Sequence, residues 1–184
     1  MPQDPADAAS ARVRRRPALF FDRDGTLNAD SGYTHRPEDL RWMPRAREAI
    51  ARANRAGYYV FVVTNQAGVA RGYYGEDAIL AFHDAMQAEL FEFGAHIDAL
   101  EWCPHHPQGL IERYRKCCPR RKPGGGMITD LIRTWPIDRA RSVMIGDSAS
   151  DIQAAAAAGV RGLLYDGGCL DALVAQALLW QDES

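Results

Sequence analysis

Ala18-Leu19-Phe20-Phe21-Asp22-Arg23-Asp24-Gly25-Thr26 is the stretch that decides the fold. Four apolar residues run without interruption and stop at an acid, which suits a strand buried on both faces in a parallel sheet covered by helices. The Asp24-Gly25-Thr26 step that follows has the composition of a turn. Two carboxylates one residue apart after such a strand can divide between roles. Asp22 would face a crevice as nucleophile, while Asp24, brought round by the turn, would serve as general acid and then base. The same acids can also cap the amides of an ordinary turn, and this segment by itself leaves both readings open.

The pattern of an apolar run ending in polar residues recurs along the chain. Residues 58–63 read as a second buried strand ending at Thr64-Asn65, and 142–145 as another ending at Gly146-Asp147. Shorter strands are expected near 97–102 and 160–165. Between them, helices are expected at 44–56, with Pro44 in the first turn and Gly57 past the end, and at 77–93, stopped by Gly94. Two more are expected at 126–135, closed by Pro136, and at the alanine-rich 151–158, capped by Gly159. Strand and helix alternate, which predicts one α/β domain over 18–184 with a mainly parallel sheet flanked by helices. Ligands of such sheets bind at the carboxyl ends of the strands, so Asp22, Thr64 and Asp147 are expected to meet there.

Three further segments carry polar chemistry. Thr64-Asn65-Gln66-Ala67-Gly68 offers a hydroxyl and two amides that can donate to phosphoryl oxygens, or merely close a loop. In Arg120-Arg121-Lys122-Pro123 a lysine can offset the charge of a phosphate and of Asp22, and an arginine fork can grip further oxygens. An exposed basic turn is the plainer reading of that run. Asp147 can complete an oxygen shell for magnesium with Asp22. Asp151, opening a helix, reads equally as a cap favoured by the helix dipole.

Bulk properties set the limits. The chain has 184 residues, 47% hydrophobic and 25% charged, with a formal net charge of -2. That balance argues against a nucleic-acid binder relying on a global positive field. No apolar run approaches the roughly 20 residues that span a bilayer. Residues 1–17 form a Pro-, Ala-, Asp- and Arg-rich leader, expected to be disordered, whose cluster Arg14-Arg15-Arg16 is either solvated or an anion-binding arm. Without the apolar core of a secretory signal, a cytoplasmic location is expected. Cys103, Cys117 and Cys118 fall near His105 and His106, a clustering that suggests metal binding before disulfides; Cys169 reads as an ordinary thiol.

With those residues in hand, the chain resembles the haloacid-dehalogenase (HAD) superfamily from Ala18 to about Gly168. Its four motifs match Asp22-Arg23-Asp24-Gly25-Thr26, Thr64, Lys122, and Gly146-Asp147 with Asp151. The acid two residues after the nucleophile is similar to the phosphatase and phosphomutase branch. Phe21 to Asn28, Thr64 to Gly72, Cys103-Pro104-His105-His106-Pro107-Gln108-Gly109 and Arg121-Lys122-Pro123 resemble more narrowly the D-glycero-D-manno-heptose 1,7-bisphosphate 7-phosphatase family, with histidinol-phosphate phosphatases as close relatives.

The resemblance implies a Rossmannoid HAD-like domain without a large cap. It implies catalysis by Asp22 and Asp24, with Thr64 and Lys122 stabilising the phosphoryl group. Asp30, Ser31, Gly32, Tyr33, Asn65, Gln66 and Arg121 would contact a phosphorylated sugar. Magnesium would sit on Asp22, Asp147 and the backbone oxygen of Asp24. Family members carry Cys-x-His and later Cys-x-Cys around a structural zinc. Within the 103–122 loop, Cys103, His105 and Cys118 fit that pattern, whereas Arg120 stands at the last ligand position. Cys117, His106 and His35 are the substitutes for it. A monomer is expected. A histidinol-phosphate or other small-ester phosphatase is the rival substrate reading. A phosphate-binding module or a phosphorylated receiver domain is the rival class, disfavoured by the intact set of catalytic motifs.

Overall fold

The computed structural model describes residues 14–179. β1 (Ala18–Phe21) is buried at every position and lies at the centre of one sheet of five strands. β2 (Tyr59–Asn65) and β3 (Ala99–Cys103) extend the sheet on one side, β4 (Val143–Gly146) and β5 (Arg161–Leu164) on the other, in the order β3-β2-β1-β4-β5. Every pairing is parallel, with Phe21 opposite Val62 on one side and Ile145 on the other.

Alternate residues of the central strands feed two cores, one on each face of the sheet. Leu19, Phe21, Val60 and Val62 pack under α1 (Ala46–Arg55), α3 (Glu76–Glu92) and α6 (Leu170–Leu179). Phe20, Phe61 and Val63 pack under α4 (Gly126–Thr134) and α5 (Ala149–Ala157). A strand covered on both faces has no use for polar alternation, which is why these segments read as unbroken apolar runs.

The helices start and stop within two residues of expectation. α5 begins at Ala149 rather than 151, because Ser148 forms its N-terminal boundary and Asp151 sits inside the first turn. Two α-helices among the described residues were not anticipated. α2 (Ala67–Ala70) is a single turn. The apolar residues of α6 surround most of its circumference, which weakens any periodic signal; it docks on α1, and Arg52 forks onto both carboxylate oxygens of Asp171 at 2.7 and 2.8 Å.

Residues 1–13 of the expected leader lie outside the described residues. The chain joins the fold at Arg16, ahead of the expected boundary at 18. Its Nε donates to the Gly57 carbonyl at 2.7 Å and its guanidinium lies 4.1 Å over the Tyr59 ring.

Strand order reverses between β1 and β4: the chain runs outward through β2 and β3, then returns to the other side. This switch point opens a crevice at the carboxyl ends of β1 and β4, where Asp22 and Asp147 stand.

Candidate active site

Asp22 is the first residue past β1, and its amide donates to the Ile145 carbonyl of β4 at 2.9 Å, so the neighbouring strand fixes its place. The chain then turns tightly. Gly25 donates to the Asn28 carbonyl at 2.7 Å, and Leu27 and Asn28 both donate back to the Arg23 carbonyl. Gly25 has φ +84, and a Cβ there would run into the carboxylate of Asp147. Backbone conformation and crowding therefore both demand glycine between the first and last acidic motifs.

Lys122 arrives from a loop but is held by β2. Its amide donates to Asn65 Oδ1 and its carbonyl accepts from Asn65 Nδ2, both at 3.0 Å. Its buried ammonium donates to Asp22 Oδ1 at 2.6 Å and to the Val63 carbonyl at 2.9 Å, and lies 2.6 Å from Asp151 Oδ1. Asn65, expected to contact substrate, thus spends both polar atoms on positioning Lys122.

Asp151 answers to both of its sequence readings. Its Oδ2 accepts from the Ser148 amide at 3.0 Å, capping α5, while its other oxygen faces Lys122. Asp22, Asp147 and Asp151 place carboxylate oxygens within 4.8 Å of one another. Burial pushes the Asp22 carboxyl up to about 7, against the pull of Lys122 and with a further push from Asp151. Partial burial and Asp151 raise Asp147 as well. For Lys122 burial opposes the charge, yet Asp22 and Asp151 overcome it and hold the ammonium above its ordinary pKa. Three carboxylates around one ammonium leave a surplus of negative charge that a divalent cation would neutralise. All are hard oxygen donors, and Asp147 is open to solvent, so the residues fit magnesium.

Asp24 is held from four directions. Arg23 meets Oδ1 through Nε at 3.1 Å and Oδ2 through Nη2 at 2.9 Å. Asn28 donates to Oδ1 at 3.0 Å and Gln66 to Oδ2 at 2.9 Å. Gln66 also donates to Thr64 Oγ1 at 2.9 Å and accepts from the Tyr74 hydroxyl at 2.8 Å.

These groups wall a cavity of about 380 Å³. Of the expected site residues, Asp22, Asp24, Asp30, Gly32, Tyr33, Thr64, Asn65, Gln66, Lys122 and Asp147 line it. Ser31 turns instead to Thr34, its hydroxyl 2.9 Å from Thr34 Oγ1. Arg121 is not on the wall; its guanidinium donates to the His105 carbonyl at 3.3 Å. Ser148 also lines the cavity, as do Tyr74 and Ser150, which were not anticipated. Tyr74 follows no strand, so the rule that located the other residues passes over it.

The cysteine loop is only partly assembled. Cys103, His105 and Cys118 converge with ligand atoms within 4.8 Å of one another, and Cys103 Sγ lies 3.7 Å from His105 Nδ1. Burial lifts the Cys103 thiol to about 11. Cys117 is exposed and stands outside the group, and no fourth His, Cys or acid joins it among the described residues. His35 is engaged elsewhere, stacked 4.2 Å from the Tyr74 ring. Arg120 turns its guanidinium to Glu101 and Asp130. Structural zinc wants four protein ligands, so three donors do not complete its shell.

The profile of the HAD-hydrolase-like family matches residues 119–178, the span from Lys122 through Asp147 to α6. The chain is 51% identical over 170 residues to the D-glycero-beta-D-manno-heptose-1,7-bisphosphate 7-phosphatase of Rhodopseudomonas palustris, covering 92% of this chain and 94% of that one. The chain belongs to this phosphatase family. The enzyme of the same name from Photorhabdus laumondii is 42% identical over 139 residues, covering 76% of this chain and 74% of that one. Among solved structures, D,D-heptose 1,7-bisphosphate phosphatase from B. bronchiseptica, complexed with magnesium and phosphate, superposes with a TM-score of 0.78 at 33% identity, covering 89% of this chain and 99% of that one. As a heptose-bisphosphate phosphatase family member, the chain is a phosphoric monoester hydrolase of the HAD type. Its single five-stranded sheet is the fold expected from the sequence. Among the described residues no helix is long and apolar enough to cross a membrane.

Proposed function

We propose that the protein hydrolyses the 7-phosphate of D-glycero-beta-D-manno-heptose 1,7-bisphosphate, through a phosphoryl group carried transiently on Asp22. The observation that carries this reading is the buried Lys122 ammonium, 2.6 Å from Asp22 Oδ1 at the mouth of the strand switch point. A binding module has no need of a carboxylate aimed into the phosphate cavity with a cation behind it. Substrate identity rests on the 51% identity to a relative of that name over nearly its whole length.

In the first half-reaction Asp22 attacks phosphorus, the bond from phosphorus to the sugar oxygen breaks, and Asp24 gives that oxygen a proton. In the second, Asp24 takes a proton from water, the water oxygen attacks phosphorus, and the bond to Asp22 breaks, releasing inorganic phosphate. Lys122 and the Thr64 hydroxyl stabilise the phosphoryl oxygens. Asp22, Asp147 and the Asp24 backbone carbonyl would hold magnesium, which when bound supplies positive charge against phosphate and carboxylates. Asp30, Gly32, Tyr33 and Gln66 face the sugar, and Arg121, whose guanidinium donates to the His105 carbonyl, sets recognition of the second phosphate. Cys103, His105 and Cys118 form a three-donor zinc site at most. A cytoplasmic monomer completes the reading.

The test is phosphate release, with and without magnesium, from both anomers of the heptose bisphosphate and from histidinol phosphate. A kcat/KM preference for the beta anomer of about a hundredfold supports the assignment. Equal low rates on all three would overturn the substrate while leaving the chemistry.

A further inference from the structure

Arg23 heads the largest fully buried side chains among the described residues, and the four motifs give it no role. Its fork meets both oxygens of Asp24, and Nη2 also donates to the Thr34 carbonyl at 2.6 Å. Nη1 lies 3.4 Å from Nε2 of the buried His83 on α3, and the guanidinium carbon stands 4.5 Å over the Phe82 ring. Because Nη1 can only donate, Nε2 must accept, and the imidazole hydrogen sits on Nδ1.

A buried guanidinium–carboxylate pair is seldom a gain in stability over an apolar pair of similar volume, so its presence asks for another account. Here one member of the pair faces the cavity. The fork fixes the plane of the Asp24 carboxylate, and the third contact ties down the end of the 30–33 segment that faces substrate. We infer that Arg23, braced by His83, is a positioning residue that aims Asp24 at the leaving oxygen and couples it to the substrate wall. The inference rests on the acid–base role of Asp24 in the proposed function.

The four donors on Asp24 occupy all of its acceptor sites. To carry a proton, Asp24 must release one of them. Either side-chain amide is suited to yield, since its nitrogen keeps a second acceptor, Thr64 Oγ1 for Gln66 and the Ala29 carbonyl for Asn28. Arg23 would then keep its grip through both half-reactions.

The leaving group separates positioning from mere structure. A sugar alkoxide needs the proton from Asp24, whereas p-nitrophenolate leaves without it, and kcat/KM reports only the steps through the first irreversible transfer. Asp24→Asn should lower kcat/KM about a hundredfold or more on heptose bisphosphate, and at least about tenfold less on p-nitrophenyl phosphate. Arg23→Met should reproduce that split, Arg23→Lys should recover part of it, and Arg23→Met combined with Asp24→Asn should be no worse than Asp24→Asn alone. His83→Leu leaves the charge pair in place and should show the same split in weaker form, so the test stands if Arg23→Met does not fold. Equal losses on both substrates, or full additivity with Asp24→Asn, would overturn the inference. Absence of any split in Asp24→Asn itself would overturn the acid role instead.

Discussion

The ammonium of Lys122 stands 2.6 Å from Oδ1 of Asp151, a carboxylate with no solvent exposure. One acid thereby closes the first turn of α5 and anchors the cation that faces Asp22. Asp151→Ala leaves the ammonium half-paired in a buried place and removes a cap. Removing one partner of a buried pair costs about 3–5 kcal/mol, measurable by urea unfolding. Asp151→Asn keeps an oxygen for the Ser148 amide and should lose less, though kcat should still fall at least about tenfold as Lys122 closes onto Asp22. Unchanged stability in Asp151→Ala would contradict the pairing.

Asp22→Asn should abolish turnover while preserving the fold, because the amide keeps the shape and removes a charge that burial disfavours. Thermal unfolding and mass spectrometry of the substrate-treated protein check both halves. No phosphorylated protein should form, and retained turnover would remove Asp22 from the mechanism.

In the proposed site, protons and magnesium would compete for the same carboxylates. With the folded Asp22 carboxyl at about 7 in the metal-free protein and its ordinary value at 3.8, the folded state holds a proton that the unfolded chain has lost between those values. This group therefore makes the metal-free protein less stable as pH rises across that window, with no further change above it. Magnesium affinity should rise with pH over the same range, approaching tenfold per unit, and level off above about 7. Calorimetric titration at a pH of about 5.5 and about 7.5 measures it; a pH-independent affinity would contradict the crowding of Asp22, Asp147 and Asp151.

Asn65 distinguishes a substrate contact from a scaffold. Asn65→Ala removes two hydrogen bonds to the backbone of Lys122, worth about 2 kcal/mol of stability together. The expected kinetic signature is a fall in kcat with little change in KM. A rise in KM alone would return Asn65 to the substrate wall.

Three converging donors bind zinc more weakly than four. The purified protein should hold less than one equivalent of zinc by elemental analysis, and a chelator should strip it without loss of kcat. Arg120→Cys should close the shell and retain zinc through the same treatment. Stoichiometric, chelator-resistant zinc in the unaltered protein would require a ligand beyond Cys103, His105 and Cys118.

The sequence was most legible where burial dictates composition. β1, β2 and β4 are apolar because both faces are covered, and each delivers its polar residue at the carboxyl end. The order of apolar runs and polar ends therefore suffices to bring Asp22, Thr64 and Asp147 to one crevice. The roles of Arg23, Asn65 and Tyr74 were not legible, because each depends on partners distant in sequence. The arginine between two acidic motif residues looks like a solvated charge until Thr34 and His83 close over it. Likewise, the sequence order around Lys122 kept Cys117 as a candidate ligand, whereas the loop leaves it facing solvent.

The clamp between Asn65 and Lys122 also bears on how such a protein can change over generations. Since β2 sets the position of Lys122, the excursion from 104 to 121 ends at a fixed post, and a change within it need not draw the ammonium away from Asp22. A lineage can trade a cysteine for Arg120, lengthen the excursion or swap it for another, and test new substrates while phosphoryl transfer continues underneath.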